Sequence, residues 1–360
     1  MIAWVLTLAG MVYALAVLRA YLTRDLAGCG YPSPAAAEAE IDELCRAHPE
    51  RARLEEIGKT SLGRPVRSLV LRGARAANSE TQRPRLLVTA QIHAVEFVGS
   101  FVARALARQL ASDYGRKREV TALLDQADVY VVPLLNPDGA DRVWQRGGYV
   151  GFAGGRFTAK GVDPNRNFPY LSLEGASAWN SGRGRPGSAY YRGEAPLSEP
   201  ECLALAKLCK RERFCAAIHF HSFGGIVYFP TLERDPGGIE IERARHALSV
   251  FQGEFQSNQP HLRYRPVPEA VSTIVGQLDA FLLGAFGTPS ATIEVSRPGL
   301  HLLKPSHFAN AFWISNPERP ERWVENDVAA AIRALAALLE RTGGRPCPPL
   351  QPELADRVPD

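Results

Sequence analysis

Apolar positions along this chain gather into short, nearly unbroken runs separated by polar stretches containing glycine and proline. Residues 67–71, 86–92 and 128–135 are such runs and read as strands buried on both faces. Residues 97–110 carry apolar side chains on nearly all sides of a helical wheel and read as a buried helix. Residues 200–210 look helical, 214–220 read as a strand running into His221, 291–293 as a buried strand, and 324–341 as a closing amphipathic helix. Asn136-Pro137-Asp138-Gly139 reads as the turn that ends the 128–135 strand. Strands alternating with helices imply one α/β domain whose largely parallel sheet is covered by helices on both faces. Ligands of such sheets sit at the carboxyl ends of strands, and His93 and His221 fall at or just past two of them.

The first 18 residues carry no charged side chain, enough for a membrane-spanning helix and long for the core of a signal peptide. Residues 1–22 are therefore expected to be a membrane anchor or an uncleaved signal segment, 23–39 a tether, 40–343 the folded domain, and 344–360 a loose proline-rich tail. Arg19 and Arg24 follow the apolar segment and no Lys or Arg precedes it, which by the positive-inside rule leaves the domain cytoplasmic. Leu26-Ala27-Gly28-Cys29 has the form of a bacterial lipoprotein cleavage box, but Arg19, Arg24 and Asp25 separate it from the apolar segment, against that use. With 360 residues and 46% apolar content the chain can bury a large single core. Its net charge of +4 is too mild to suggest a nucleic-acid partner. Six cysteines, none in C-x-x-C spacing, make neither a zinc ribbon nor an evident disulfide framework.

His93-Ala94-Val95-Glu96 follows the apolar 86–92 run and puts an imidazole and a carboxylate where a strand gives way to a helix. Zinc accepts both donor types, and a catalytic zinc usually has three protein ligands, so a third is owed. Downstream come Asn136-Pro137-Asp138-Gly139, Gly161-Val162-Asp163-Pro164-Asn165-Arg166-Asn167-Phe168, His221-Ser222-Phe223-Gly224-Gly225 and Thr292-Ile293-Glu294. Ile57-Gly58-Lys59-Thr60 with Gly63-Arg64-Pro65, and Ser198-Glu199-Pro200-Glu201, complete the set. In this order the motifs resemble the zinc metallocarboxypeptidase family, carboxypeptidase A type, over roughly residues 40–340.

The resemblance implies a mixed, eight-stranded-type sheet and one Zn²⁺ per chain held by His93, Glu96 and His221. His219 could also reach a metal, being on the same side of a strand as His221; the H-S-aromatic-G pattern assigns the role to His221, leaving His219 a supporting or packed imidazole. Asp163 would take the other N–H of His93, or else cap a turn. Asn165 and Arg166 would grip the terminal carboxylate of a peptide. Glu294 would be the general base that takes a proton from zinc-activated water, and Arg156 would polarise the scissile carbonyl, with Arg142 and Arg146 as competitors. The residue selecting the released side chain falls at Leu278 or Asp279. The expected partner is a peptide with a free C-terminus, acted on by a monomer, and family habit favours the exported face of the membrane. Two departures stand out: Val95 replaces an Arg common in the family, and residues 265–281 contain no substrate-capping Tyr, Tyr264 coming too early. Besides a carboxypeptidase, a zinc amidase or deacylase acting on cell-wall peptides or acylated amino acids is open, as is a binding module; the presence of Glu294 argues against the last.

Overall fold

Alternation of apolar side chains drives two layers of packing on one sheet. Strands β1 (Ala52–Lys59), β2 (Pro65–Leu71) and β3 (Arg85–Ala90) are followed by β4 (Asp128–Val132), β5 (Ala216–Ser222), β6 (Ile226–Thr231), β7 (Arg265–Ala270) and β8 (Ser290–Val295). They form an eight-stranded sheet in the order β1-β2-β4-β3-β5-β8-β6-β7. The centre, β4-β3-β5-β8, is parallel, while β1-β2, β2-β4 and β8-β6 pair antiparallel. This is the computed structural model of the chain, which describes all residues except 1, 27, 75–82, 171–183, 232–238, 271–274 and 300–302.

The helices are α1 (Ile2–Thr23), α2 (Pro34–Ala47), α3 (Phe97–Asp113), α4 (Arg118–Gln126), α5 (Pro137–Gln145), α6 (Gly151–Arg156), α7 (Pro200–Glu212), α8 (Ile239–Ser257), α9 (Leu278–Phe286), α10 (Ala311–Ser315), α11 (Glu321–Thr342) and α12 (Glu353–Asp356). Leu86 and Val88 of β3, Val129 and Val131 of β4, and Ile218 and Phe220 of β5 pack with α3 and α11. The alternate residues Leu87, Tyr130, Val132 and Ala217 pack with α7 and α9 on the other face. Period-two alternation thus yields a sheet buried on both sides, as read from the sequence.

Several boundaries moved for local reasons. Asn136-Pro137-Asp138-Gly139 begins α5 instead of forming a free turn: Asn136 Oδ1 accepts from Gly139 N (3.0 Å) and Pro137 sits in the first turn, a helix-start pattern. Strand β4 ends at Val132, and β3 ends at Ala90, after which Gln91 turns left-handed (φ 53°). The strand expected over 214–220 covers 216–222, so His221 lies inside it. Residues expected as tether are packed: Ser33 Oγ caps α2, and buried Tyr31 donates its hydroxyl to the Pro317 carbonyl (2.7 Å). The C-terminal stretch expected to be loose buries Leu354 and Val358 in the α7/α9 layer, because apolar side chains interrupt its prolines.

Candidate metal centre

The carboxyl end of β3 delivers His93 and Glu96, and the neighbouring strand β5 delivers His221. His93 Nδ1 lies 2.8 Å from Glu96 Oε1, and His221 Nδ1 lies 3.0 Å from Glu96 Oε2. The donor atoms of all three residues fall within 4.8 Å of one another, and all three residues are buried. Among the described residues neither Glu96 Oε2 nor His221 Nδ1 has a hydrogen-bond partner, although the two lie close together. A buried carboxylate oxygen and an imidazole nitrogen left in this way call for a cation between them. Burial alone would raise the Glu96 carboxyl; the charges of His93 and His221 and the hydrogen bond with His93 outweigh it and hold the group below the usual carboxylate range. Two imidazoles and a carboxylate suit zinc.

Support for His93 comes from the end of α6 and the segment that follows it. His93 Nε2 lies 3.2 Å from Asp163 Oδ1, and Arg156 donates from Nε and Nη2 to Asp163 Oδ2 at 2.9 and 2.8 Å. Desolvation opposes ionisation of Asp163, but Arg156, His93 and Arg166 hold its carboxyl far below its usual range. Asp163 also accepts from Asn165 N (3.0 Å), so one carboxylate both contacts the imidazole and caps the short 3-10 turn Pro164–Arg166. Arg156 sits at the site through Asp163, whereas Arg142 is committed to the Gly154, Phe157 and Thr158 carbonyls.

Asn165 and Arg166 are buried beside the metal centre. Asn165 Oδ1 accepts from Leu278 N (3.0 Å), tying this turn to the start of α9. Gly276 makes the join possible: its φ is +75°, and a Cβ there would lie 2.2 Å from the Arg166 carbonyl oxygen. Leu278 is buried with Phe168 and Phe281, and Asp279 Oδ2 accepts from Thr292 Oγ1 (3.1 Å). Burial pushes the Asp279 carboxyl up. Glu294 on β8 stands in register with His221, so the two side chains share a face of the sheet.

Sequence reasoning missed Tyr190. Its ring lies under both arginines, 5.0 Å from the Arg156 guanidinium carbon and 5.3 Å from that of Arg166. An aromatic in a loop between glycines offered no periodic signal by which to single it out. Tyr264 is remote from such use: it is fully buried, and its hydroxyl donates to Asp327 Oδ2 (2.7 Å). His219 Nδ1 pairs with Thr89 Oγ1 (2.7 Å), away from the three donors.

The family model described as zinc carboxypeptidase matches residues 37–310. This chain belongs to the zinc carboxypeptidase family. Carboxypeptidase A1 of Mus musculus is 29% identical over 223 residues, covering 59% of this chain and 50% of the relative. Carboxypeptidase A2 of Mus musculus is 30% identical over 204 residues, 53% of this chain and 44% of the relative. The chain thus matches about half the length of these relatives. The carboxypeptidase A of Helicoverpa armigera shares the fold with a TM-score of 0.66 at 17% identity, covering 95% of this chain and 81% of that one. Family membership makes zinc the metal that the His93, Glu96 and His221 donors suit.

Proposed function

We propose that this protein is a zinc-dependent carboxypeptidase that removes the C-terminal residue of peptides. The observation that carries the reading is the buried trio His93, Glu96 and His221, with two donor atoms lacking hydrogen-bond partners and Glu294 in register on the adjacent strand. Zinc, when bound there, lowers the pKa of a water it holds and polarises a carbonyl. Glu294 accepts the proton of the attacking water and returns it to the departing amine. Asn165 and Arg166 hold the terminal carboxylate, a role for which a guanidinium's paired N–H groups are suited. Arg156 keeps Asp163 charged and in place, and Asp163 keeps the His93 ring oriented. We assign the polarising contact with the scissile carbonyl to Arg156 as well, since it borders the same centre. Leu278 at the head of α9 selects the side chain released.

The test is metal analysis of the purified full chain, followed by digestion of a mixed peptide pool with mass readout of the trimmed ends. Zinc near one per chain with stepwise loss of C-terminal residues supports the reading. Release of acyl groups or cell-wall peptides, with free C-termini untouched, would shift it to the amidase or deacylase alternative.

A further inference from the structure

Helix α6 stands beside the metal centre because its last turn is tied to the segment that carries His93 and Glu96. Val95 N donates to the Gly155 carbonyl (2.8 Å), and a Cβ at Gly155 would lie 3.1 Å from Val95 Cγ1. That tie fixes the place of Arg156, which grips Asp163. Phe152 comes four residues earlier, on the same face of the helix. Its ring lies 5.9 Å from the Arg156 guanidinium carbon, yet it is 63% exposed.

A second ring continues the row. The segment carrying Tyr190 is anchored through its neighbour: Tyr191 is buried, and its carbonyl accepts from Asp163 N (2.7 Å). Tyr190 itself is half-buried and meets Phe152 edge-on, with ring centroids 6.2 Å apart and planes 72° to each other. Its ring also lies 5.0 Å from the guanidinium carbon of Arg156 and 5.3 Å from that of Arg166. Two rings and two guanidinium groups thus form one connected set. Tyr190 touches both cations, and Phe152 extends the set on the Arg156 side.

In the function proposed above, on which this step rests, Arg166 holds the terminal carboxylate and Arg156 the scissile carbonyl. A residue of extended chain spans about 3.3–3.6 Å, so the peptide runs from one guanidinium toward the other, and the residue upstream of the cleaved bond passes Arg156. There it meets the rings. We propose that Phe152 and Tyr190 form an aromatic wall that selects the residue preceding the one released, favouring an aromatic or large apolar side chain. An acidic side chain gains little there, because Arg156 is already paired with Asp163 through two hydrogen bonds. The enzyme then reads two positions of its substrate with separate elements: Leu278 at the head of α9 reads the released residue, and the wall on α6 and the Tyr190 turn reads the one before it.

The test holds the released residue constant and varies the one before it. The full chain, loaded with zinc, is given acetyl-Ala-Xaa-Phe peptides with Phe, Leu, Gly or Glu at Xaa, and kcat/KM is measured for each. Phe at Xaa is expected to be cleaved roughly 10-fold better than Gly, with Leu between them and Glu no better than Gly. In Phe152→Ala the Phe and Gly rates should come together, whereas Phe152→Trp should keep them apart. Tyr190→Leu should likewise erase the preference and Tyr190→Phe retain it, since the ring and not the hydroxyl makes the wall. Equal wild-type rates across the series, a preference for Glu, or a Phe preference that survives Phe152→Ala would overturn the wall and leave the carboxypeptidase reading standing. Failure of the wild-type chain to trim any of the four peptides would overturn both.

Discussion

His219 and His221 are two residues apart on one face of β5, both buried, and they have opposite surroundings. His219 lies in mid-strand, in register with Thr89 on one side and Thr292 on the other. Its Nδ1 pairs with the Thr89 hydroxyl, and burial, with the neighbouring His221, lowers its pKa to about 3. It is a neutral, packed imidazole at any ordinary pH. His221 lies at the strand's carboxyl end, where the segment after β3 brings the Glu96 carboxylate to it. Its Nδ1 faces Glu96 Oε2 without a hydrogen bond, and Glu294 stands beside it in register. The same residue type on the same strand is thus packed where only strands surround it and, in the function we propose, a metal ligand where loops converge.

The sharpest way to break this comparison is to delete each ring in turn. His221→Ala is expected to lose bound zinc on purification, because it removes one of three donors. His219→Ala is expected to keep one zinc per chain and to lose only stability, by about 2 kcal/mol or less for a vacated buried ring and an unpaired Thr89 hydroxyl. Metal analysis of both variants decides it: zinc kept without His221 and lost without His219 would reverse the assignment. Glu294→Gln comes next in size. An amide takes no proton from water, so turnover should drop by roughly 10²–10⁴-fold while zinc content stays at the wild-type level. Metal loss in this variant, or undiminished turnover, would remove Glu294 from the role of base.

How much of this was legible beforehand follows the same division. The central strands and their two-sided burial were readable because residues such as Leu86, Leu87 and Val88 give an unbroken apolar signal. His93, Glu96 and His221 were readable only as an ordered set of short motifs; the sequence alone does not show that Glu96 reaches both rings. What sequence did not convey depends on cross-chain contacts. Asn136 as a helix cap, Gly276 against the Arg166 carbonyl and Tyr190 beneath two guanidinium groups are tertiary facts with no local periodicity. The packed 31–38 and C-terminal stretches escaped notice for a related reason. Their buried anchors, Tyr31, Leu354 and Val358, are isolated large apolar residues among prolines, alanines and polar side chains.

The chemical end of the sheet can be probed further through the substrate's own charge. If Arg166 clamps a terminal carboxylate, amidating that terminus removes a charge-assisted pair worth about 1.5–3 kcal/mol, roughly 10- to 150-fold in kcat/KM. The same loss should appear when Arg166→Leu acts on the free peptide, and amidation should then cost that variant almost nothing. Equal rates of wild-type enzyme on free and amidated peptides would detach Asn165 and Arg166 from substrate binding and favour the deacylase reading.

The smallest effect concerns the structural row itself, where Asp279 lies against Thr292 below the metal centre. If Asp279 faced a substrate pocket as an anion, C-terminal Lys or Arg would be preferred through a partly desolvated ion pair. Its surroundings argue otherwise: burial raises its pKa, and its Oδ2 is engaged by the Thr292 hydroxyl. Leu278, at the turn of the chain tied to Asn165, then sets the preference, favouring an apolar or aromatic end by about 1–3 kcal/mol. A raised folded-state pKa also fixes a sign. The native state holds the Asp279 proton more tightly than the unfolded chain does, so its contribution is full at low pH and lost as pH rises through the folded value. Asp279→Asn should therefore gain stability relative to wild type as pH climbs above the ordinary carboxylate range, read as a thermal midpoint against pH. Paired substrates ending in Phe and Arg complete the test: a preference for Arg that disappears in Asp279→Ala would move Asp279 out of the structural row and into the pocket.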